Sequence, residues 1–319
     1  GANTSIWWAA LHDAVGGDYY QFAGYKLEEN RQFMYFEDEY MKADEYDAFL
    51  ENPTEFIFNN ILPRLNSELQ DAGSYKANIA LVKGAAALFD YLGKLGQAAA
   101  MYRDQYGLPL GSTGIVKAPF DTLGDVPRSL NGIMMDMHMR PDKLKQALDI
   151  IVDHNLFYAM ATAQGDTVFP VFMPLHRGSY PFLSPKNWDE FYWPTLKKVI
   201  EELWKIGKRT WFYAEGNWTP YLDRIAELPE KSIVFHCDLT DIDEAYKALK
   251  GRFCISGNVP NTLLSYGKPE EVEAYIKNLI DKYAADGGFL IDSAGVMFTD
   301  AKEENVRTLV DTVNSYGVY

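Results

Sequence analysis

Short apolar runs alternate with amphipathic helical segments through the second half of the chain. The apolar runs are rich in β-branched and aromatic residues, which predicts strands at 167–173, 209–215, 232–238, 252–258 and 287–292. Each run precedes a segment with helical spacing of apolar residues, at 184–208, 219–228, 241–250, 268–286 and 302–317. Five strand–helix units in succession predict a parallel sheet with helices outside it, and favour a barrel over an open sheet.

The first half of the chain is less regular. Residues 111–119 form a sixth probable strand and 140–165 a strong helix, whereas 1–110 are irregular and then helical. We therefore predict an α/β fold, a (β/α)8 TIM barrel in one domain over 1–319, with no good first strand before residue 60. Because the chain begins at Gly1 without an initiator methionine, we expect either that an N-terminal segment is missing or that a partner piece completes the barrel.

Composition narrows the classes of partner. The net charge of −15 argues against nucleic acid and anionic membrane surfaces. No apolar run approaches the roughly 20 residues that span a bilayer.

The two cysteines, Cys237 and Cys254, lie in apolar strand-like contexts, so a reducing cytoplasm is the expected location. Aromatic residues make up 14% of the chain, and their main expected role is packing, with walling a substrate pocket as the alternative.

Polar side chains close the predicted strands. A parallel barrel carries its active site at the carboxyl ends of the strands. The residues at those positions are His176, Glu215, His236, Asp238, Asn258 and Asp292. His and carboxylate side chains are zinc ligands, and a catalytic zinc has three protein ligands plus an open position. A hydrogen-bonding structural role is the alternative for each of them.

Neighbouring positions add to this set. Tyr213 shares a strand face with Glu215, and His236 lies at the level of Glu215 on the next predicted strand. Asn217 follows in the turn "EGNW", and Gly257 is expected to let a ligand approach closely. Arg128 could face the barrel mouth from the middle of the chain.

Several segments resemble the uroporphyrinogen decarboxylase superfamily, which includes corrinoid-dependent methyltransferases. They are "FLSPKNWDEFYWPTLKKVIEEL", "GRFCISGNVPNTLL", "GGFLIDSAGVMFTDAKEENV" and "KAPFDTLGDVPRSLNGIMMDMHMRPDKL". The resemblance is clear over 110–319 and looser before it. It implies the barrel fold.

Two reactions follow from the resemblance. Decarboxylases of the superfamily carry a His in the last strand–helix loop, where this chain has "DSAGVM", so a decarboxylase is the second choice. Thiol-methylating members bind zinc through His-x-Cys and a later Cys. Tyr213, Glu215 and Gly295 occupy those positions here. The change from thiolate to harder donors resembles the branch that demethylates methoxylated aromatics.

The resemblance thus implies a methyltransferase that moves a methyl group from a small donor to a corrinoid protein. Zinc, or a proton from a nearby acid, would stabilise the leaving group. The expected catalytic residues are Glu215, His236, Tyr213 and Asp292, and the expected zinc ligands are Glu215, His236 and Asp238, with His176 and Asp292 as alternatives for the third. The expected substrate-binding residues are His176, Asn217, Asn258 and Arg128. Besides the corrinoid protein, a second copy of the chain in a homodimer is an expected partner, and a non-catalytic barrel subunit is the remaining alternative.

Overall fold

The structure is a computed structural model that describes residues 6–24, 26–29, 31, 34–108, 111–163, 169–297 and 299–317. The chain divides into two compact units. The helical unit comprises Gly1–Leu110 and Thr122–Ile151, and the sheet unit comprises Gly111–Asp121 and Val152–Tyr319. The expectation of one domain over 1–319 stays a prediction.

The sheet unit is built on a parallel sheet. Its six strands follow chain order, each paired with the next: β3 (Gly114–Ile115), β4 (Val171–Leu175), β5 (Thr210–Ala214), β6 (Ile233–Cys237), β7 (Cys254–Ser256) and β8 (Phe289–Leu290). All six correspond to predicted strands, although each is shorter than predicted or shifted. Thr167 and Val168, which the sequence places in the β4 strand, lie outside the described residues. The described part of the chain therefore holds six of the eight parallel strands of a complete (β/α)8 barrel.

The strands are apolar because the side chains on one face of the sheet are fully buried. Val171, Met173 and Leu175 of β4 are fully buried, as are Phe212 of β5 and Phe235 of β6. Near-continuous apolar strands are typical of parallel sheets with helices outside. Burial of each such side chain contributes about 1.5–3 kcal/mol relative to exposure.

Helices follow the strands as the amphipathic segments predict. The helices from the middle of the chain onward are α6 (Pro119–Asp125), α7 (Ser129–Met139), α8 (Pro141–Thr162), α9 (Pro185–Asn187), α10 (Trp193–Lys205), α11 (Leu222–Ile225), α12 (Ile242–Leu249), α13 (Asn261–Tyr266), α14 (Pro269–Tyr283) and α15 (Glu303–Tyr316). Ser184 caps α9, because its hydroxyl accepts a hydrogen bond from the Asn187 amide. A π-helical segment, Trp188–Tyr192, joins α9 to α10 just before Pro194, where the sequence predicts a break.

Aromatic rings pack the start of α10 against the segment after β5. Trp188 stacks on Tyr221 with ring centroids 4.4 Å apart and on Trp193 at 5.1 Å. Trp218 meets Trp188 edge-on at 6.3 Å. Trp188 and Trp218 are fully buried, so much of the aromatic content has the packing role that was expected for it.

The helical unit contains the remaining elements. Its first helices are α1 (Ile6–Val15), α2 (Tyr46–Glu51), α3 (Pro53–Phe56), α4 (Leu62–Leu65) and α5 (Tyr75–Tyr106), with an antiparallel pair of β1 (Tyr20–Gln21) and β2 (Met34–Tyr35). The long α5 begins at the Ser74 cap and ends at Gly107, which adopts the left-handed φ of 66°. Val15, Leu69, Ala77 and Ala80 form a small core between α1 and α5. Within the described residues, no helix is long and apolar enough to cross a membrane.

Candidate active site at the carboxyl ends of the strands

Six side chains at the carboxyl ends of β4, β5, β6 and β8 form what we call the strand-end cluster. Its members are His176, Tyr213, Glu215, His236, Asp238 and Asp292. All six were predicted from the sequence as site residues, and all belong to the sheet unit. Their residue types supply three carboxyl groups, two imidazoles and one phenol.

His176 and Glu215 form the first pair of the cluster. Each residue comes directly after its strand, and these strands, β4 and β5, are neighbours in the sheet. The Nδ1 atom of His176 lies 2.8 Å from Oε2 of Glu215, and both side chains are about one-third exposed, at 35% and 37%. Glu215, the last residue of the segment "WFYAE", is therefore paired with His176. The sequence had indicated His236 as its neighbour, because the two residues lie at the same level on adjacent strands. The pair holds one hydrogen-bonding proton within reach of solvent.

Asp121 fixes the backbone that carries His176. The side chain of Asp121 is fully buried. It accepts hydrogen bonds from the backbone amides of His176 at 3.3 Å and Arg177 at 2.8 Å, and from the hydroxyl of Tyr192 at 2.8 Å. The orientation of His176 toward Glu215 thus rests on a carboxylate that the sequence-based site did not include.

Tyr213 and His236 form the second pair. They are directly opposite in the register of β5 and β6, and their rings stack with centroids 4.0 Å apart. Nε2 of His236 donates to the carbonyl of Ala294 at 2.9 Å, and its Nδ1 lies 3.4 Å from Oδ2 of Asp292. His236 is fully buried, and its Nδ1 makes no hydrogen bond within the described structure.

Asp238 closes the cluster on the β6 side. Its Oδ2 accepts a hydrogen bond from the Gly216 amide at 2.8 Å. Burial raises the pKa of Asp238 above the usual aspartate range, and the nearby charge of Glu215 acts in the same direction. Asp238 therefore holds its proton to a higher pH than an exposed aspartate.

Tyr213 stays a neutral phenol. Burial is the largest cause that raises its pKa, and the charges of Asp292, Glu215 and Asp238 raise it further. The same electrostatic effects indicate that the three carboxyl groups lie around one ring. Negative charge is thus concentrated around this ring, which makes the cluster a poor environment for an anionic substrate.

The loop after β5 is held by its own hydrogen bonds. The indole Nε1 of Trp218 donates to the Glu215 carbonyl at 2.8 Å, which fixes the Glu215 backbone. The side chain of Asn217 accepts from the Thr219 amide at 2.9 Å, and its carbonyl accepts from Tyr180. Asn217 thus has a structural use, and the substrate-binding role expected for it stays a prediction.

Gly257 and Asn258, in the loop after β7, both lie close to other parts of the sheet unit. The side-chain oxygen of Asn258 accepts from the Tyr275 hydroxyl of α14 at 3.1 Å, so this residue contacts a helix of the same unit. Gly257 has a φ of 125°, and a side chain there would come within 2.7 Å of the Cys237 carbonyl. The backbone of β6 makes a close approach at Gly257, and the approach of a ligand there stays a prediction.

Arg128 lies in the helical unit, in what we call the Arg128 cluster, with Glu39, Tyr46 and Asp136. Its guanidinium donates to both carboxylate oxygens of Asp136, at 2.6 and 3.2 Å, and to the Met41 carbonyl. Glu39 lies 3.3 Å from Nη1, and the Tyr46 hydroxyl donates to Asp136 at 2.7 Å. The Arg128 side chain is only 2% exposed. Its donors are used internally, so its substrate-binding role remains a prediction without support in its contacts.

The predicted zinc ligands do not fit a zinc site as they are arranged. Among the described residues, no group of three or more His, Cys, Asp or Glu side chains has the arrangement needed to hold a metal ion. His236 Nδ1 and Asp292 Oδ2, 3.4 Å apart, supply two donors where a catalytic zinc needs three. Glu215 is paired with His176, and Asp238 with the Gly216 amide. We therefore derive no step through zinc.

Burial disfavours the thiolate form of both cysteines. Burial raises the pKa of Cys237 to about 12 and that of Cys254 to about 11. Both thiols therefore stay protonated near neutral pH and pack as small apolar side chains.

Parallel strand–helix units with polar groups at the carboxyl ends of the strands define the class of α/β barrel proteins. The family described as uroporphyrinogen decarboxylase (URO-D) matches residues 60–316, and the chain belongs to this family. The fold class predicted from the sequence, the α/β barrel, is confirmed, and so is the superfamily.

Comparison with solved structures agrees on the fold. A methyltransferase from Methanosarcina mazei superposes with a TM-score of 0.63 at 18% sequence identity, over 97% of this chain and 78% of the other. At this identity the likeness extends to the fold alone. No curated protein sequence matches the chain.

Proposed function

We propose that this protein is a methyltransferase that moves a methyl group from a small methoxylated aromatic donor to the corrinoid of a partner protein. The observation that carries the proposal is the strand-end cluster, in which three carboxyl groups surround the neutral phenol of Tyr213. Membership of the uroporphyrinogen decarboxylase family and the fold shared with the Methanosarcina mazei methyltransferase support the reaction class.

The charge of the cluster favours a neutral donor over the porphyrinogen of a decarboxylase. A multiply carboxylated substrate would meet Glu215, Asp238 and Asp292 at the same end of the sheet, and like charges in a partly buried site repel strongly. Arg128, which the sequence analysis names among the expected substrate-binding residues, already pairs with Asp136. An aryl methyl ether has no charge to be repelled.

The chemistry asked of the cluster is proton donation. In aryl ether demethylation the bond between oxygen and the methyl carbon breaks, and its electron pair stays on the oxygen as a phenoxide. A proton delivered to that oxygen lowers the barrier, an effect worth about 10²–10⁴ in rate. A cobalt(I) corrinoid supplies the nucleophile that accepts the methyl group.

Two groups of this chain suit the proton transfer. The His176–Glu215 pair shares a hydrogen-bonded proton across 2.8 Å and is partly open to solvent, from which it can be reprotonated. Asp238 has a raised pKa and keeps its proton to a higher pH than usual. Asp121, through the His176 backbone, and Trp218, through the Glu215 carbonyl, position the first pair.

Reconstituted methyl transfer tests the proposal. The purified protein is mixed with a reduced corrinoid protein and a panel of methoxylated aromatics such as 2-methoxyphenol. We expect equal amounts of phenolic product, measured by chromatography, and methylated corrinoid, measured by absorbance. Release of carbon dioxide from a porphyrinogen, with no demethylation of the panel, would favour the decarboxylase. Inactivity toward both substrate classes would favour a non-catalytic barrel subunit.

The zinc prediction has its own test. Metal content is measured for the purified protein and for the Glu215→Gln and His236→Ala variants. Stoichiometric zinc that is lost in both variants would support the predicted ligands and replace proton donation with metal assistance. Zinc content that is equal in all three proteins would contradict the ligand assignment.

A further inference from the structure

A second cavity lies at the amino ends of the strands, at the opposite end of the sheet from the strand-end cluster. Its volume is about 630 Å³, within the range of small-molecule sites. Arg209 and Lys231 come just before β5 and β6, and Phe253 and Gly288 just before β7 and β8, and all four line the cavity. A five-residue strand spans roughly 16 Å, so this cavity is separate from the candidate active site.

The lining of the cavity is basic, whereas the chain as a whole is acidic. The whole chain carries 30 basic and 45 acidic residues. The cavity is lined by four cations, Arg209, Lys231, Lys250 and Arg252, and its lining includes a single carboxylate, Asp286. Like charges brought together at a cavity repel one another, and an anion bound between them removes that repulsion.

The cations are only partly neutralised by their surroundings. Arg252 pairs with Glu230 at 3.0 Å and donates to the Leu228 carbonyl, whereas its Nε is buried without a hydrogen bond in the described structure. The ammonium of Lys250 lies 5.2 Å from the Tyr246 ring centroid, a contact with an aromatic face and not with a carboxylate. Among the described residues, neither Arg209 nor Lys231 has an acidic partner within salt-bridge distance.

The wall of the cavity is apolar. Val234, Tyr246 and Cys254 line it with half-buried side chains, and Tyr246 contributes an aromatic ring. A bare inorganic ion would leave this surface in contact with water. A ligand with an anionic group and an apolar or aromatic body would satisfy both the cations and the wall.

We infer that this cavity binds a small organic anion, with a phosphate or carboxylate held by Arg209, Lys231 and Lys250 and an apolar body packed on Val234 and Tyr246. The site is separate from the methyl-transfer chemistry proposed above and does not depend on it.

Calorimetric titration at low ionic strength tests the site. The probes are phenyl phosphate and benzoate as anions with an aromatic body, phenol as the same body without charge, and inorganic phosphate as the charge alone. We expect saturable binding of one of the two aromatic anions with one site per chain, and binding at least about tenfold weaker for phenol and inorganic phosphate. The better of the two anions identifies the head group.

Variants separate this site from general charge attraction. Lys231→Gln with Lys250→Gln is expected to weaken the aromatic anion by about tenfold or more, since two of the cations are removed. Lys198→Gln, an exposed lysine of α10 outside the cavity, is the matched control and should bind as the wild type does. Circular dichroism confirms that each variant is folded. Absence of saturable binding by both aromatic anions, or equal affinity in the double variant and the control, would overturn the inference.

Discussion

The Arg128 cluster and the strand-end cluster use the same kinds of side chain in different states. Arg128 and Asp136 are 2% and 0% exposed, and every charged atom faces a partner of opposite charge or a hydrogen-bonding group. His176, Glu215 and Asp292 are 35%, 37% and 32% exposed, and carboxyl groups outnumber cations around Tyr213.

This difference separates a structural network from a candidate reactive one. A buried ion pair with all its hydrogen bonds made has no capacity left for a substrate. A partly exposed group of acids with a raised pKa at one carboxyl group retains protons that it can give away. Residue type alone, on which the sequence-based choice of Arg128 relied, does not distinguish the two states.

The strongest test of the comparison is removal of Arg128. Arg128→Ala leaves the Asp136 carboxylate buried without its main partner, so we expect a loss of about 3–5 kcal/mol in the free energy of unfolding. Urea unfolding followed by circular dichroism measures it.

The matched control replaces both partners of the ion pair. Arg128→Met with Asp136→Leu removes the two charges together and should recover much of the lost stability. If Arg128→Ala is as stable as the wild type, the structural role of Arg128 is contradicted. A substrate-binding role would then be favoured again.

Glu215→Gln tests the proposed catalytic role of the strand-end cluster. It keeps the size of the side chain and removes the carboxylate that shares a proton with His176. We expect demethylation to slow by about 100-fold, with a change in unfolding free energy of no more than about 1 kcal/mol because the pair is partly exposed. Glu202→Gln on α10 is the control, and both proteins are compared by initial rate of phenol release.

A Glu215→Gln enzyme with wild-type rate would remove the His176–Glu215 pair from the proposed chemistry. A large loss of stability in the same variant would instead indicate that the His176–Glu215 pair has a structural role, as the Arg128–Asp136 pair does.

Asp121 lies between the two extremes, because it is buried like Asp136 but serves the strand-end cluster. Asp121→Asn weakens its bonds to two amides and to Tyr192, and we expect a loss of about 2 kcal/mol in unfolding free energy together with slower turnover. Tyr192→Phe removes one of these bonds and should cost about 1 kcal/mol. Thermal and urea unfolding measure the loss of stability in both variants, and kcat measures the slower turnover of Asp121→Asn. Unchanged kcat in folded Asp121→Asn would show that Asp121 does not position His176.

The smallest expected effect is a pH dependence at Asp238. Because the folded-state pKa of Asp238 is raised, the folded protein binds its proton more tightly than the unfolded chain does. Its contribution to stability is therefore full below the usual aspartate pKa and is lost as the pH rises through the raised value. Asp238→Asn should remove this slope from a plot of unfolding free energy against pH, and an identical slope in both proteins would contradict the raised pKa.

The sequence predicts the sheet and the ends of its strands because short apolar runs carry their own signal. It predicts the members of the strand-end cluster for the same reason, since each of them lies near or just beyond the carboxyl end of such a run. The pairing within the cluster is set by side-chain direction, which depends on strand twist and loop course. His236, for example, meets the backbone carbonyl of Ala294, and a carbonyl has no sequence signature.

Asp121 was missed although a signal was present. It is a single carboxylate in "KAPFDTLG", where Ala118, Phe120 and Leu123 are all buried. A lone acid among apolar residues must be paired in the fold, and its partners here are two backbone amides and a tyrosine that lie more than 50 residues away. Such partners are beyond the reach of spacing arguments.

The aromatic packing beside the cluster makes the protein its own optical reporter. Trp218 donates its indole hydrogen to the carbonyl of Glu215 and contacts Trp188, which stacks on Trp193. Indole emission depends on hydrogen bonding and on nearby rings, so a ligand that shifts the Glu215 backbone changes the tryptophan fluorescence. Unlabelled protein can therefore signal occupancy of the candidate site in a stopped-flow cuvette, before any methyl group has moved.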